Sequence, residues 1–263
     1  MSALIHPTAV IDNHAQLHPT VRVEPYAVIG SQVTIGANTV VGSHAIIDGL
    51  TKIGEDNQIF PGAAIGLAPQ DLKYRGANSR VVIGDRNRIR EYVTINRATK
   101  EDETTVLGND NLLMAYSHIG HNCIIGNEVI IANNVAIAGH VTVESMATIS
   151  GVLGIHQFVH IGTMAMVGGM SRINRDVPHY MMVEGNPAKV RSLNLTGLKR
   201  RGFSNDEIRQ LKKAFSYLYL KKLPIDKAIA NLNELVDSSH IQYLQQFIQL
   251  SLADNRRGLI AGK

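Results

Sequence analysis

The sequence predicts a parallel β-helix of hexapeptide repeats followed by a small α-helical domain. Counting every sixth residue from Ile5 to Ile173 gives 29 positions, of which 26 are Ile, Leu or Val. Glycine follows the aliphatic residue at 11 of these 26 positions, and Ala, Val, Thr, Ser, Asn or Cys stands four places after it at 24 of them. Neither an α-helix nor an open sheet repeats every six residues. This period is typical of β-helices, whose stacked repeats bury one continuous aliphatic column.

The repeat resembles that of the left-handed β-helix proteins, in which three flat sides make one coil. Since each side takes one hexapeptide, the resemblance implies a left-handed coil of about 18 residues. We assign residues 1–190 to this β-helix and residues 191–263 to the helical domain.

Two segments interrupt the repeat, residues 66–82 and 98–106, and we predict that they leave the stack as loops. Insertions of this kind often line the binding face of a solenoid. The first contains Asp71, Lys73 and Arg75, which are suitable ligands for a sugar or a phosphate. The second is acidic and is predicted to be a solvated excursion.

After Ile173 the repeat stops. Turn-forming residues at 176–180 and 185–188 predict a linker. Helical spacing begins near Ser192 and marks the start of the second domain, which we expect to cover one end of the prism.

Three helices are predicted in this domain. Ser204 and Glu207 form a capping-box pattern that opens a helix reaching about Tyr219. Pro224 lies in the first turn of a second helix. A third helix is predicted from about Ser239 to Leu252.

The charge is unevenly distributed along the chain. Residues 1–189 contain 13 Lys and Arg against 16 Asp and Glu, whereas residues 190–263 contain 13 against 6. A basic C-terminal region favours a phosphorylated ligand or an acidic protein partner. Aromatic residues interleaved with the basic ones, which single-stranded nucleic acids use for stacking, are missing, so we do not expect nucleic-acid binding.

The single cysteine excludes an internal disulfide, and its place in the small inward position of a repeat predicts that Cys123 is a core thiol. The sequence has no apolar run of about 18 residues, so no membrane span is expected. The N-terminus lacks the basic and apolar regions of a secretory signal. We therefore expect a cytoplasmic protein.

Four of the 11 histidines fall close together, at His118, His121, His140 and His156. On the implied coil, His121 lies directly below Gly139 and then Gln157, and it should point outward. Imidazole is both a base near neutral pH and a common zinc ligand. A backbone N–H and an amide above His121 favour stabilisation of an oxyanion over binding of zinc.

Seven segments carry a more specific pattern and span nearly the whole chain: Pro69–Gly76, Ile83–Glu91, Gly108–Met114, Ala138–His140, Ile155–Phe158, Met166–Gly169 and Asn194–Phe203. They closely resemble the UDP-N-acetylglucosamine acyltransferases of lipid A biosynthesis. The resemblance implies transfer of an (R)-3-hydroxyacyl group from acyl carrier protein to the 3-hydroxyl of UDP-N-acetylglucosamine. It also implies a homotrimer with sites between adjacent prisms and no requirement for a cofactor or metal.

The same resemblance assigns a role to each matching residue. His121 is the expected general base, and the N–H of Gly139 is the expected oxyanion donor. The remaining matches are substrate contacts: Asp71 and Lys73 for the sugar, His118, His140, His156 and Gln157 around the base, Asn194, Arg200 and Arg201 for the nucleotide, and Gly169 as the limit on acyl-chain length.

Two residues depart from the family pattern. Asn122 stands where an aspartate usually orients the base, and Thr196 stands where a glutamate is common near the nucleotide. The amide of Asn122 can accept from the imidazole but carries no charge, so we predict catalysis that is weaker but present.

Two alternative functions stay open, an acetyltransferase using acetyl-CoA and a zinc protein similar to the γ-class carbonic anhydrases. A 3-amino sugar is an alternative acceptor.

Overall fold

The computed structural model describes residues 4–235 and 238–262, and it confirms the predicted fold class. Short strands form three sheets of nine, eight and ten strands, which are the three sides of a prism. Among the described strands, all pairings are parallel except one antiparallel pair at the C-terminal end of the prism.

We number the sheets in the order in which the chain visits them. Sheet I contains Val10–Ile11, Val28–Ile29, Ile46–Ile47, Ala64–Leu67, Thr94–Asn96, His118–Ile119, Val135–Ile137, Leu153–Ile155 and Arg172–Ile173. Sheet II contains Gln16–Leu17, Val33–Ile35, Leu50–Ile53, Arg80–Ile83, Thr104–Leu107, Ile124–Ile125, Thr142–Val143 and His160–Ile161. Sheet III contains Arg22–Val23, Val40–Val41, Gln58–Ile59, Arg88–Ile89, Leu112–Leu113, Ile130–Ile131, Thr148–Ile149, Met166–Val167, Met181–Gly185 and Ala188–Leu193.

The aliphatic residue of each repeat points into the prism and forms the core. Ile65, Ile95, Ile119 and Ile137 are fully buried. Burial of such a side chain contributes about 1.5–3 kcal/mol. Ile5 is 44% exposed, because the N-terminal coil has no coil beneath it.

The spacing between paired residues shows how the loops are accommodated. Val10 pairs with Val28, 18 positions on, and the strand pairs of the other unbroken coils up to Ile173 have the same spacing. The spacing is 30 between Ala64 and Thr94 and 24 between Thr94 and His118. Both spacings exceed 18 by a multiple of six, so each insertion is a whole number of hexapeptides. The aliphatic residues therefore keep their inward position before and after each loop.

Both loops leave the prism at the corner between sheets I and II, which we call corner I–II. The first loop covers residues 68–79 and the second residues 97–103. The second loop differs from the predicted solvated excursion over 98–106. Residues 104–107 form a strand, Ala98 and Thr105 are buried, and Glu103 turns back toward the prism.

The segment predicted to be a linker contains a β-hairpin. Met181–Gly185 and Ala188–Leu193 pair antiparallel and extend sheet III by two strands. The turn formers at 185–188 mark the turn of this hairpin. Ser192 lies in its second strand, and the first helix begins three residues later, at Leu195.

The helical region contains α1 (Leu195–Arg200), α2 (Asn205–Phe215), α3 (Ile225–Leu232) and α4 (Ser239–Leu252), with a π-helical turn at Ser216–Leu220 and a 3₁₀ turn at Asn233–Leu235. The capping box is confirmed, since Ser204 Oγ accepts from the N–H of Glu207, and Glu207 Oε2 accepts from the N–H of Ser204. No helix in the described part of the chain is long and apolar enough to cross a membrane.

The helical region packs against the last coils of the prism. Phe247 of α4 lies against His160, with ring centroids 4.6 Å apart. Ser251 donates a hydrogen bond of 2.7 Å to the buried carboxylate of Asp176. These contacts lie at the last strand of sheet II and at Asp176, which follows the last strand of sheet I.

Candidate active site

Corner I–II brings together most of the residues predicted to act on the substrate. His121 and Asn122 occupy one turn of this corner, Gly139 and His140 the turn of the next coil, and His156 the turn after that. Both extruded loops leave the same corner one and two coils earlier. Each loop adds a whole number of hexapeptides, so the strands before and after it stay in register. Both loops therefore leave the prism at the same corner.

His121 stacks directly on Gly139, as the predicted column requires. A Cβ atom at position 139 would overlap the imidazole ring of His121, so only glycine leaves room for this packing. In the described part of the chain, no acceptor lies within hydrogen-bond distance of the backbone N–H of Gly139. This N–H therefore has no protein partner in that part of the chain and lies beside the imidazole.

Asn122 holds the imidazole of His121 from the other side. Its Oδ1 lies 2.9 Å from Nδ1 of His121, and its Nδ2 donates to Glu103 at 2.7 Å. Asn122 has a positive φ of 61°, a conformation in which asparagine is several-fold enriched. The local backbone thus accommodates asparagine at this corner, and its amide points at the imidazole of His121.

Two further histidines flank His121 and are held neutral. His140 meets His121 edge-on with ring centroids 5.1 Å apart and stacks on Phe158. Burial and then the nearby His121 lower the pKa of His140, against the attraction of Glu103 and Asp71. Burial and then His121 also lower the pKa of His118, which lies 2.7 Å from Thr94 Oγ1. At neutral pH both side chains can donate one hydrogen bond to a ligand without adding charge.

His156 is fixed by a residue that the sequence did not point to. Arg257 approaches Nδ1 of His156 to 2.6 Å and donates to the carbonyl of Gln157 at 2.9 Å. A guanidinium only donates, so Nδ1 of His156 is an acceptor and its proton lies on Nε2. Arg257 is separated from His156 by about a hundred positions, and no sequence pattern connects the two.

The first loop is fastened to the prism near its base. Tyr74 Oη donates to the carbonyl of Ala77 and accepts from Arg97 Nε at 2.9 Å. Asp71 Oδ1 accepts from the backbone N–H of Lys73 at 2.9 Å, so these two residues are neighbours in one turn. Asp71 is close enough to influence the ionisation of His140, which places the loop beside the histidines.

A cleft of about 420 Å³ runs from His118 and His156 across the outer surface of sheet I toward Arg172. Ala136 and Gly154 form its floor, and a Cβ on Gly154 would contact nothing within 4 Å. The small side chains leave a shallow apolar channel that begins at the histidines. Such a channel suits an unbranched hydrocarbon chain.

Four predicted substrate residues lie elsewhere in the chain. Gly169 is in the corner between sheets III and I. Arg200 is exposed at the end of α1, and Arg201 pairs with Glu128 at 2.5 Å beside sheet III. Asn194 caps α1, since its Oδ1 accepts from Gly197 and its Nδ2 donates to Met164. A single chain therefore does not bring these four residues to His121.

Cys123 is confirmed as a core thiol. It is fully buried, and burial raises its pKa to about 12, so it is not a nucleophile at neutral pH. In the described ranges, no group of three or more His, Cys, Asp or Glu side chains is arranged to hold a metal ion. The absence of a cofactor or metal requirement stays a prediction.

Comparison with known proteins identifies the family. Residues 176–260 match the second domain of UDP-N-acetylglucosamine O-acyltransferase, and residues 14–49 and 104–139 match bacterial transferase hexapeptide repeats. An acyl-[acyl-carrier-protein]–UDP-N-acetylglucosamine O-acyltransferase from Gloeothece citriformis is 58% identical over 213 residues, which are 81% of this chain and 77% of that protein. The chain belongs to the UDP-N-acetylglucosamine O-acyltransferase family.

Other members of the family match the chain over nearly its full length. The Burkholderia orbicola enzyme of the same name is 44% identical and covers 97% of this chain and 98% of its own. The solved structure of the Acinetobacter baumannii protein superimposes with a TM-score of 0.93 at 40% identity, covering 98% of this chain and 99% of that one. The Francisella novicida UDP-N-acetylglucosamine acyltransferase gives 0.93 at 37% identity, with coverage of 98% and 94%. Prism and helical region therefore match together.

Sequence reasoning missed Glu103 and Arg257. Glu103 lies in a segment whose acidic composition predicted a solvated loop. The sequence does not distinguish it from the neighbouring carboxylates of Glu101 and Asp102. Only the folded corner shows that one of these three carboxylates turns inward.

Proposed function

We propose that this chain transfers an (R)-3-hydroxyacyl group from acyl carrier protein to the 3-hydroxyl of UDP-N-acetylglucosamine, the first step of lipid A biosynthesis, with His121 as general base. The observation that carries the proposal is the hydrogen bond from Nδ1 of His121 to Asn122, which leaves Nε2 free to accept a proton. The imidazole lies beside the backbone N–H of Gly139, which has no protein acceptor among the described residues. A sugar hydroxyl is a poor nucleophile and needs a base poised near neutral pH.

The reaction follows from these two groups. Nε2 of His121 takes the proton of the sugar hydroxyl while the oxygen attacks the thioester carbonyl carbon. The tetrahedral oxyanion accepts a hydrogen bond from the N–H of Gly139, and such a donor is worth about 10²–10³ in rate. The C–S bond then breaks, and the imidazolium returns its proton to the departing thiolate of the carrier protein.

The remaining contacts are assigned by their position around this centre. Asp71 and Lys73 on the first loop hold the sugar, and His118, His140, His156 and Gln157 line the path of the two substrates. The basic C-terminal region suits an acidic acyl carrier protein. We assign the reaction to the cytoplasm.

We propose that the site is completed in a homotrimer. Gly169, Asn194, Arg200 and Arg201 lie away from corner I–II, so they reach His121 only from an adjacent chain. An exposed apolar ridge follows the corner between sheets III and I, where such a chain would dock; it comprises Tyr26, Tyr92, Tyr116, Val152 and Met170. In this arrangement Arg200 and Arg201 meet the diphosphate, and Gly169 limits the length of the acyl chain.

Acyl transfer from a panel of 3-hydroxyacyl carrier proteins to UDP-N-acetylglucosamine tests the proposal. We expect His121→Ala to lower kcat by about 10²–10⁴, the usual contribution of a general base, with an unchanged melting temperature. His14→Ala, which removes an exposed histidine at the far end of the prism, is the matched control. A folded wild-type protein that transfers nothing, or a His121→Ala variant as active as the control, contradicts the proposal.

A further inference from the structure

We infer that Glu103 is a positioning residue of this reaction, which holds the amide of Asn122 toward His121 and supplies the negative charge that the amide lacks. The inference rests on the proposed role of His121 as base. It concerns a residue of the second loop that does not itself reach the substrate.

The orientation of the Asn122 amide is fixed by its neighbours. On one side, the backbone N–H and the hydroxyl of Thr99 both lie 3.1 Å from Oδ1. On the other side, Oε2 of Glu103 lies 2.7 Å from Nδ2. A backbone N–H can only donate and a carboxylate can only accept, so the oxygen of the amide must face Thr99 and its NH₂ must face Glu103.

This orientation decides the tautomer of His121. Because the atom 2.9 Å from Nδ1 is an oxygen, Nδ1 must carry the proton and donate it. The lone pair of Nε2 is then free, which is the state that a general base requires. A flipped amide would present NH₂ to Nδ1 and move the proton to Nε2, where it would block the reaction.

Glu103 carries its charge at the pH of the reaction. Partial burial raises the pKa of this carboxyl, but the hydrogen bond from Asn122 and the attraction of Lys100 outweigh burial, so the pKa lies below its ordinary value. The backbone N–H of Lys100 also donates to Oε2 at 3.2 Å, and the Lys100 ammonium lies 3.9 Å from Oε1. His140 faces the same carboxylate and is held neutral by burial and by His121.

The charge of Glu103 therefore acts on His121 through a single amide. When Nε2 takes the sugar proton, the imidazolium that forms has His118 and His140 beside it, both neutral, and Glu103 as the carboxylate behind it. A hydrogen-bonded chain thus runs from the carboxylate of Glu103 through the amide of Asn122 to the imidazole. The second loop contributes this group to the active site.

Glu103→Gln tests the charge alone, because a glutamine oxygen can still accept from Asn122 Nδ2. We expect kcat to fall about tenfold with little change in KM, since the proton acceptor becomes weaker but binding contacts stay. We expect the acidic limb of the pH–rate profile to move about half a pH unit lower, because the imidazolium loses its stabilising charge. Asp102→Asn is the control. It removes the neighbouring carboxylate of the same loop, which is exposed and pairs with Arg80, and should leave the kinetics within twofold.

The charge-swapped double variant sharpens the test. Asn122→Asp alone places two carboxylates at hydrogen-bond distance, so we expect it to be less active than wild type at neutral pH. Combining Asn122→Asp with Glu103→Gln restores one charge and one amide in exchanged places, and it should recover most of the activity. Rescue of this kind would not follow from a purely structural role.

Nitrogen NMR of His121 gives a readout that does not depend on turnover. In the wild-type enzyme we expect the signals of a neutral imidazole protonated at Nδ1. A His121 protonated mainly at Nε2, a Glu103→Gln variant as active as Asp102→Asn, or a double variant no better than Asn122→Asp would each overturn the inference. Absence of transfer by the folded wild-type enzyme would instead reject the proposed function.

Discussion

Two histidine clusters of this prism contain the same kinds of side chain and differ in what covers them. At corner I–II, His121 and His140 are half-buried and lie beside two extruded loops. At the corner between sheets II and III, the carboxylate of Glu144 lies 2.7 Å from His160 and 3.4 Å from His179 beneath α4. The first cluster is the proposed substrate site, and the second joins the prism to the helical region.

The second cluster is largely buried, with 17% of the Glu144 and His160 side chains and 1% of His179 exposed. The ring of His179 stacks on Tyr243 with centroids 4.1 Å apart and lies edge-on to Phe247. Its Nδ1 accepts from the backbone N–H of Thr163 at 2.8 Å, and Tyr243 donates to Glu144 at 2.5 Å. A histidine held in this way stabilises an interface but cannot exchange a proton with a ligand. Burial and access, rather than residue type, separate a structural cluster from a reactive one.

Glu144→Ala should show the difference between the two clusters most clearly. Removal of one partner from a buried charged network costs about 3–5 kcal/mol, so we expect a large loss of stability in denaturant unfolding. The activity of the molecules that remain folded should be unchanged, which is the reverse of the result for His121→Ala. Glu24→Ala, which removes a partly exposed carboxylate 3.3 Å from Arg22, should change stability by less than about 1 kcal/mol. Loss of kcat without loss of stability in Glu144→Ala would contradict the assignment.

The stability of the enzyme should fall with acid over the range in which His179 resists protonation. Burial lowers the pKa of His179 from 6.5 to about 4, with the attraction of Glu144 only partly opposing it. The unfolded chain therefore binds the proton first, so this contribution is complete above pH 6.5 and is lost as the pH falls toward 4. The shift corresponds to about 3 kcal/mol. Unfolding of His179→Gln over the same range should show a shallower pH dependence, and equal slopes for the two proteins would reject the explanation.

Gly139→Ala probes the packing at the first cluster. The added methyl group would overlap the ring of His121 and displace it, although the backbone at this position accepts alanine. We expect kcat to fall by about 10²-fold, the effect of a misplacement of about 1 Å, while the melting temperature stays close to that of wild type. Retention of wild-type kcat in this variant would mean that His121 is not held against Gly139 during the reaction.

The sequence by itself determined the β-helix of hexapeptide repeats, and the three-sided coil implied by the family resemblance then placed His121 below Gly139. The physical reason is that a solenoid is built from local repeats, so a fixed period translates directly into three-dimensional neighbours. Both insertions are whole hexapeptides and preserve that period, so the aliphatic residues of the core stay in phase through the two loops. The capping box at Ser204 could also be predicted from the sequence, because its two hydrogen bonds join residues three positions apart.

Only the tertiary structure decided which polar groups meet outside the repeat. Glu103 reaches Asn122 across 19 positions from a loop whose composition resembles a solvated surface, and Arg257 reaches His156 from 101 positions away. The hairpin at 181–193 resembled a linker, because the same residues form turns in both. The packing of α4 over Glu144 and His179 likewise cannot be predicted from any local sequence pattern. Contacts of this kind depend on how the loops and the helical region fold back on the prism, which no period along the chain encodes.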